Sequence, residues 1–438
     1  MTNKVYIIWI WGIGISAIAR YYNENWYEVY GSDSTNSELV QTLESEWINI
    51  IIWEDETRID NSFQKVIYTE AVPQLQSELS KAYYLNIDTK TYPQALAEIA
   101  NDTKLIAVAG THWKSTTTSL ASIVMMNSQH NVNTVVWTLL KEFDGKNSYF
   151  SDSNYLVIEA CEYKRSFLQY QPEILLITNI EVDHLDYYKD ETDYLSAYSE
   201  LINNMKSWGI VILNGQDKNC KKLSWQRSDI QFIEVFDSFF IIDNKEIPFP
   251  TINLQVPGWH ILFDAHLVYC LWFILNIQSN DIVHYLSKYS WVWRRMEQIG
   301  MTKNWSQVMS DYWHHPTEIK LTLSALKSKY ADKKIITIFQ PHQYNRTIEL
   351  LEDFKDSFID TDVLIIPNIY ESRDSEEDKK NMSTEIFLGE IIHPDKHNWH
   401  WLKSTISLLK EKWFDNNNSL IVLLWAWNVD NLRYDLIK

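Results

Sequence analysis

The sequence predicts an α/β protein with mostly parallel sheets. Strand and helix patterns alternate along all 438 residues, which is typical of α/β domains with parallel sheets. Two Gly-containing turns, at residues 9–14 and 110–115, each follow an apolar strand and precede a helix. The apolar content of 45% supplies conventional hydrophobic cores. We therefore expect several α/β domains, at least two of which open with a turn that suits phosphate binding.

The elements group into three units, 1–102, 103–293 and 294–438. In the first unit we predict a helix at 14–25 and strands at 5–8, 28–30, 48–52 and 65–68. The second unit has helices at 116–126 and 261–276 and strands at 105–109, 155–158, 174–178 and 210–213. In the third we predict strands at 307–310, 334–339, 363–366 and 420–424, and a solvated loop over the acidic stretch 371–380.

Composition excludes several classes of partner. The net charge of −19 argues against nucleic acid or an anionic membrane as the main partner. The three cysteines show neither metal spacing nor a disulfide framework, which suits a reducing cytoplasm. The apolar run 5–19 resembles a signal peptide, but its punctuation favours a strand, a turn and a helix. Asp264 and His266 interrupt the apolar run 261–275, so we expect no membrane insertion.

Tryptophan occurs where glycine is expected. An average usage of about 7% predicts roughly 30 glycines, whereas the chain has 10 Gly and 20 Trp. Asn304-Trp305 stands where Asn-Gly would form a hairpin turn. Our hypothesis is that the gene was translated with the wrong genetic code, in which UGA was read as Trp instead of Gly. The alternative is a genuinely Trp-rich protein, and UGG codons at Trp9, Trp113 and Trp313 would support it.

Residues 110–116 have the pattern of a phosphate-binding loop. The apolar strand 105–109 leads into Gly-Thr-His-Trp-Lys-Ser-Thr, and a helix follows. In such a loop backbone N–H groups hold phosphates, Lys114 reaches the terminal phosphate, and Ser115 holds Mg²⁺. Trp113 stands where glycine allows the sharp turn and the close approach of the anion. We expect its side chain to clash with the phosphates or to distort the turn.

The first turn, at residues 9–14, is a weaker signal. With glycine in place of Trp9 and Trp11 it becomes Gly-x-Gly-Gly-x-Gly between a strand and a helix, which places a diphosphate at the helix N-terminus. Asp33 follows the second strand, where such folds hold a ribose or a base. A nicotinamide cofactor fits this motif equally well, and so does a tight turn without any ligand.

Acidic residues end two strands that follow the phosphate loop. Glu159-Ala-Cys-Glu162 ends the strand at 155–158, and Thr178-Asn-Ile-Glu-Val-Asp-His184 ends the next. Carboxylates suit Mg²⁺, and an imidazole suits a second divalent ion. We expect Glu159 and His184 to be ligands. Two alternatives stay open, namely that Glu162 only pairs with Lys164 or Arg165 and that Asp186 only caps a helix.

Two polar segments follow strands of the third unit. Asp311-Tyr-Trp-His-His-Pro-Thr-Glu318 and Phe339-Gln-Pro-His-Gln-Tyr-Asn-Arg346 both come directly after apolar strands. Loops at the carboxyl ends of strands bind ligands in open α/β sheets. Arg346 suits a carboxylate, although a surface arginine is equally compatible with its spacing.

Taken in order, these motifs resemble the Mur ligase family over essentially the whole chain. To the motifs above the resemblance adds Pro257-Gly-x-His260 and Arg294-Arg-x-Glu297. It implies three domains, N-terminal Rossmann-like, central P-loop ATPase-like and C-terminal Rossmann-like. It also implies a function in peptidoglycan synthesis. On this resemblance, ATP would phosphorylate the carboxylate of UDP-N-acetylmuramate, and the amine of L-alanine would attack the acyl phosphate to form an amide.

The resemblance implies roles for individual residues. The ATP site would comprise Gly110, Thr111, His112, Trp113, Lys114, Ser115, Thr116, His260, Arg294, Arg295 and Asp311, and Mg²⁺ would be held by Ser115, Glu159 and His184. The UDP-sugar site would comprise Trp11, Gly12, Ile13, Gly14, Ser16 and Asp33. Tyr312, His314 and Arg346 would bind the amino acid, and the catalytic set would be Lys114, Glu159, His184, His314 and Arg346.

The chain departs from the family pattern at several positions. Family glycines are replaced at Trp9, Trp11, Trp113, Trp313, Trp425 and Trp427, and further departures are Cys161, Tyr163 and Asp264. With tryptophan at these positions the polypeptide as written should be inactive. Three alternatives remain: a ligase that recycles a tripeptide onto the same UDP-sugar, a non-catalytic relative that binds the UDP-sugar, and a nicotinamide oxidoreductase. We expect a cytoplasmic monomer or homodimer.

Overall fold

The computed structural model describes residues 3–128, 130–290, 292–372, 374–398, 402–424 and 429–437. The positions of Trp425 and Trp427 lie outside this part. The chain divides into two compact units, one formed by residues 1–253 and 263–288 and the other by residues 254–262 and 289–438. The first unit holds two sheets and the second holds one. Within the described ranges, no helix has the length and apolarity needed to cross a membrane.

The first sheet has five strands, all parallel, in the order β3-β2-β1-β4-β5. β1 is central, and the strand order reverses on either side of it, so a crevice opens at its carboxyl end. The predicted strands and the first helix are confirmed, whereas β5 was missed because Asp-Thr-Lys-Thr lacks an apolar pattern. The elements are β1 (Lys4–Ile8), α1 (Ile13–Glu24), β2 (Glu28–Asp33), α2 (Glu38–Ser45), β3 (Asn49–Ile52), β4 (Lys65–Tyr68), α3 (Ser77–Tyr84), β5 (Asp88–Thr91) and α4 (Tyr92–Ala100).

The second sheet has nine strands in the order β14-β13-β12-β11-β10-β6-β9-β7-β8. The interior strand β6 is almost wholly buried and runs parallel to its neighbours β9 and β10. The elements are β6 (Lys104–Ala109), α5 (Lys114–Met126), β7 (Asn133–Leu140), β8 (Lys146–Tyr149), β9 (Tyr155–Glu159), β10 (Ile174–Ile177), α6 (Glu191–Asn204), β11 (Ile210–Asn214), α7 (Lys218–Leu223), β12 (Gln231–Val235), β13 (Phe239–Ile242), β14 (Lys245–Pro248), α8 (Trp259–Ile274) and α9 (Ser279–Ser287).

The third sheet has six strands in the order β15-β16-β20-β17-β18-β19, of which β15 is antiparallel to its neighbour. The four predicted strands are confirmed. The elements are β15 (Glu297–Met301), β16 (Gln307–Asp311), α10 (Pro316–Lys329), β17 (Lys334–Phe339), α11 (Tyr344–Glu349), α12 (Leu351–Phe354), β18 (Val363–Ile366), α13 (Glu376–Asn381), α14 (Thr384–Glu390), β19 (Lys396–Asn398), α15 (Leu402–Glu411), β20 (Ser419–Leu424) and α16 (Leu432–Leu436).

Two details of this sheet bear on the sequence predictions. The predicted hairpin at Asn304-Trp305 is confirmed, because this dipeptide lies in the turn that joins β15 to β16, and the backbone N–H of Thr302 donates to the carbonyl of Ser306 at 2.9 Å. The acidic stretch 371–380 was wrongly expected to be a loop throughout. Residues 376–380 lie in α13, and Ser375 is the N-cap of this helix. The Ser375 hydroxyl accepts from the N–H of Asp378 and forms a capping box.

Candidate active site

The turn after β1 brings Trp11 to Asp33. The backbone N–H of Trp11 donates to Oδ2 of Asp33 at 3.1 Å, and the N–H of Thr35 donates to Oδ1 at 3.2 Å. Burial raises the pKa of Asp33, while these backbone donors lower it. A cavity of about 420 Å³ opens beside the carboxylate, at the crevice that the strand order predicts. Its lining includes Trp9, Ser32, Asp33, Ser34, Trp53, Glu54 and Gln76.

The remaining predicted UDP-sugar residues begin α1. Gly12 is the N-cap of α1, and Ile13 and Gly14 form its first turn. A Cβ on Gly14 would lie 3.0 Å from the indole nitrogen of Trp137 and from the Tyr92 ring, so a larger residue would require these rings to shift. The Ser16 hydroxyl donates to the carbonyl of Ile13 and accepts from the Asn147 amide, both at 3.0 Å. Gly14 and Ser16 therefore pack against residues of β7 and β8 of the second sheet.

The predicted phosphate loop lies between β6 and α5. The Lys114 ammonium donates to the carbonyls of Gly110 and Thr111 at 2.6 and 3.0 Å and lies 2.9 Å from Glu162 Oε2. Burial alone would lower the pKa of Lys114, but the charge and hydrogen bond of Glu162, together with the neighbouring Cys161 and Glu159, outweigh burial, and the pKa is raised. A Cβ on Gly110 would lie 2.0 Å from the Thr178 hydroxyl, so this loop position requires glycine.

Polar groups at the end of β10 hold the loop in place. The Asn179 carboxamide accepts from the N–H of His112 at 2.9 Å, and the Thr178 hydroxyl donates to the His112 carbonyl at 2.7 Å. The Thr111 hydroxyl donates to the carbonyl of Glu181 at 2.7 Å. The hydroxyl of Thr116 is buried, one residue after Ser115. The loop is thus positioned from a neighbouring strand.

The acidic strand ends meet at the start of α5. The Ser115 hydroxyl donates to Oε1 of Glu159 at 3.0 Å, and the N–H of Trp137 donates to its Oε2 at 3.0 Å. A hydroxyl and a carboxylate are the hard oxygen ligands that Mg²⁺ prefers, so the donor set fits this ion. His184 lies instead beside Glu162, with 3.7 Å between Nε2 and Oε1.

Glu162 is a site residue that the sequence prediction missed. Only 1% of its side chain is exposed, and it pairs with Lys114 and His184. The alternative pairing with Arg165 is wrong, because that guanidinium contacts Asp193 and Glu200 at 2.7 and 2.6 Å. The Glu-Ala-Cys-Glu spacing marked Glu162 as acidic, but its partner depends on how β9 packs beside β6.

Several predicted residues of the ATP and amino-acid sites lie in or beside the third sheet. Asp311 ends β16, and burial raises its pKa to about 8 while Arg295 lowers it. The Arg295 guanidinium donates to the carbonyl of Tyr312 at 2.7 Å and stacks 4.1 Å from the Trp313 ring. Arg294 instead donates to Asp430 at 3.2 Å, and burial lowers its pKa to about 10 despite the charge of Asp430.

Aromatic and imidazole rings line the same end of the sheet. The His314 ring lies 5.8 Å from Tyr312 and 6.2 Å from His342. Arg346 lies in α11, which follows β17, and its charge lowers the pKa of Tyr312, as do those of Arg295 and Arg294, although burial raises this pKa overall. His315 has a structural role as the N-cap of α10, because its ring accepts from the N–H of Thr317.

His260 lies in the second compact unit beside Gly258. Burial lowers its pKa to about 4, so its imidazole is neutral at pH 7. A Cβ on Gly258, whose φ is +117°, would lie 2.6 Å from this ring. The glycine therefore lets the ring close against the backbone.

The parallel sheets and the loop that follows β6 define a nucleotide-binding α/β protein. Three family profiles match the chain in succession: "Mur ligase family, catalytic domain" at residues 4–104, "Mur ligase middle domain" at 108–235 and "Mur ligase, glutamate ligase domain" at 294–418. The chain is 37% identical over 392 residues to UDP-N-acetylmuramate–L-alanine ligase of Clostridium tetani, covering 85% of each chain. It belongs to the Mur ligase family.

Solved structures agree with this fold. UDP-N-acetylmuramate–alanine ligase of Thermotoga maritima matches with a TM-score of 0.80 at 21% identity, over 99% of this chain and 98% of that one. A murein peptide ligase of Psychrobacter arcticus matches with a TM-score of 0.73 at 19% identity, also over 99% and 98%. These likenesses show the three-domain α/β fold.

Proposed function

We propose that this chain is an ATP-dependent ligase that joins L-alanine to UDP-N-acetylmuramate in the cytoplasm. The observation that carries the proposal is the set of contacts around the phosphate loop, with Lys114 on Glu162 and Ser115 on Glu159. It occurs in a chain that is 37% identical to a ligase of that name. We propose domains at residues 1–102, 103–293 and 294–438, and a monomer or a homodimer.

The proposed reaction has two steps. The muramoyl carboxylate attacks the γ-phosphorus of ATP, ADP leaves, and an acyl phosphate forms. The amine of L-alanine then attacks the acyl carbon, loses a proton, and expels phosphate as the amide forms. Mg²⁺, when bound, would neutralise charge on the transferring phosphoryl group.

Residues of the chain support each step by position and charge. Lys114 would contact the terminal phosphate, and the backbone of residues 110–115 would hold the phosphates. Ser115 and Glu159 would hold Mg²⁺, with His184 as a further ligand. Asp311 would bind the ribose, and His260, Arg294 and Arg295 would lie near the rest of the nucleotide. Arg346 would pair with the carboxylate of L-alanine, beside Tyr312 and His314.

The first experiment is a phosphate-release assay. It is run on the chain as written and on a version with glycine at the tryptophans that replace family glycines, using UDP-N-acetylmuramate, L-alanine and Mg²⁺–ATP with each substrate left out in turn. Release that requires all three supports the ligase. Release that requires a tripeptide instead of L-alanine indicates the recycling ligase. Binding of the UDP-sugar without release indicates a non-catalytic relative, and binding of labelled NAD would indicate an oxidoreductase.

A further inference from the structure

Nine of the fifteen tryptophans in the described ranges have a left-handed backbone. Their φ angles lie between 55° and 77°. A Cβ makes this region unfavourable, and for a bulky residue it is a true outlier, whereas glycine enters it freely. The nine positions are Trp9, Trp26, Trp47, Trp53, Trp113, Trp208, Trp225, Trp305 and Trp413.

Three of them occupy the residue after a helix C-cap, where glycine is the usual choice. After α1, the N–H of Trp26 donates to the carbonyl of Asn23, and that of Tyr27 donates to the carbonyl of Tyr22. The same pair of bonds closes α2 at Trp47 and α15 at Trp413. These are Schellman motifs, which require a left-handed residue at this position.

Two other helices of the chain end in the same motif with asparagine. Asn86 follows α3 and Asn276 follows α8, each with a positive φ and the same two hydrogen bonds. Asparagine is the side-chain-bearing residue that best tolerates this conformation. At these two helix ends the chain therefore uses the residue type that ordinary C-cap chemistry favours after glycine.

The indoles at these ends gain nothing that would offset the strain. Trp26, Trp47 and Trp413 are 90%, 91% and 83% exposed. A strained backbone persists when its surroundings over-determine it, and a side chain in solvent supplies no such packing. The strain therefore points to the residue type and not to a function of the indole.

We propose that these nine positions are glycine in the functional polypeptide, and that their codons are UGA read as glycine. The inference rests on backbone geometry and does not depend on the proposed ligase activity. It restores the phosphate loop, because Trp113 is the left-handed N-cap of α5. It also opens the cavity beside Asp33, which Trp9 and Trp53 line. Trp11 and Trp313 do not have a positive φ, so the proposal does not extend to them.

The decisive measurement is peptide mass spectrometry of the protein isolated from its own organism. Glycine at the nine positions is the expected result. Tryptophan there, or UGG codons in the gene, would overturn the proposal.

A second measurement tests the geometry in recombinant protein. Trp26, Trp47 and Trp413 are each changed to Gly and to Ala. We expect the Gly variant to unfold at a higher urea concentration than the Ala variant at all three positions, because only Ala keeps a Cβ. Gln41, which is exposed inside α2, is the matched control, where Ala should exceed Gly. Ala exceeding Gly at the helix ends as well would contradict the backbone argument.

A different observation supports a second inference, about Glu78 in α3. Its carboxylate is fully buried and accepts four hydrogen bonds. Oε1 accepts from the Tyr6 hydroxyl at 2.6 Å and the N–H of Asp55 at 3.0 Å. Oε2 accepts from the Ser32 hydroxyl at 2.5 Å and the Gln76 amide at 2.9 Å. A buried carboxylate is costly unless it is satisfied in this way.

These four donors come from four segments of the first domain. Ser32 lies in β2, Asp55 follows β3, Gln76 precedes α3, and Tyr6 lies in β1. Ser32 and Gln76 also line the cavity beside Asp33. We infer that Glu78 is a positioning residue that sets the wall of the UDP-sugar site, an inference that rests on the proposed function.

Calorimetric titration with UDP-N-acetylmuramate tests this role, in a parent protein that carries glycine at the nine positions proposed above. Ser32→Ala, on the cavity side, should weaken binding about tenfold, and Glu78→Gln should do so at least as strongly. Tyr6→Phe removes a bond to the same carboxylate away from the cavity and should leave the Kd unchanged. If Tyr6→Phe weakens binding as much as Ser32→Ala, or if Glu78→Gln folds and binds normally, the inference is wrong. Failure of the glycine-containing parent protein to bind the UDP-sugar would contradict the proposed function itself.

Discussion

The carboxylate of Glu162 lies 2.9 Å from the ammonium of Lys114, with 1% and 11% of the two side chains exposed. Lys114 is the proposed phosphate ligand, so this pairing holds its charge in the loop before any nucleotide binds. A buried charge that loses its partner is costly. The Lys114 ammonium that is proposed to bind phosphate is therefore also the group whose pairing with Glu162 stabilises the loop.

Replacing Glu162 should destabilise the protein through Lys114. We expect Glu162→Gln to lower the free energy of unfolding by about 3 kcal/mol, because the buried ammonium loses its counter-charge. Urea denaturation measures this. In the background of Lys114→Met, which carries no such charge, the same change should cost much less. Equal losses in both backgrounds would show that the two residues are not coupled.

Replacing Glu159 should change the requirement for Mg²⁺. Its carboxylate accepts from the Ser115 hydroxyl at 3.0 Å, and hard oxygen ligands suit this ion. Glu159→Gln should raise the Mg²⁺ concentration for half-maximal phosphate release about tenfold or more. Glu181→Gln, at the end of the neighbouring strand, is the comparison. If both variants shift the Mg²⁺ requirement equally, the assignment to Glu159 fails.

Asp311 should make stability fall as pH rises. Burial raises its folded pKa to about 8, against an ordinary value of 3.8. The folded state therefore binds a proton that the unfolded state releases, so its contribution is complete below about pH 4 and is lost as pH rises towards 8. Urea denaturation between pH 5 and pH 8 should show this slope in the unmodified protein and a smaller one in Asp311→Asn. Identical slopes would refute the shift.

Gly258 should not tolerate alanine. Its φ is +117°, and a Cβ would lie 2.6 Å from the His260 ring. We expect Gly258→Ala to lower the free energy of unfolding by roughly 1–3 kcal/mol. Gly389, where a Cβ meets nothing within 4 Å, is the control, and Gly389→Ala should change stability little. A neutral result at Gly258 would mean that the ring moves aside freely.

The sequence by itself determined the α/β class, the positions of the main strands along the chain and the loop between β6 and α5. Apolar runs such as those of β1 and β6 are local signals, and so is the glycine punctuation after them. The excess of tryptophan over glycine was also visible in the sequence, but only the backbone angles identified which positions are strained. A local sequence pattern does not specify φ. From the sequence alone, Trp26 in a Schellman motif therefore could not be distinguished from Trp272 inside a helix.

Only the tertiary structure decided which distant groups meet. Glu162 faces Lys114 because β9 and β6 are neighbours in the sheet, and Asn179 reaches His112 because β10 lies on the other side of β6. Glu78 gathers donors from four segments for the same reason. These contacts depend on strand order and on the fit of buried side chains. Both are set by packing across the whole domain, which no short stretch of sequence encodes.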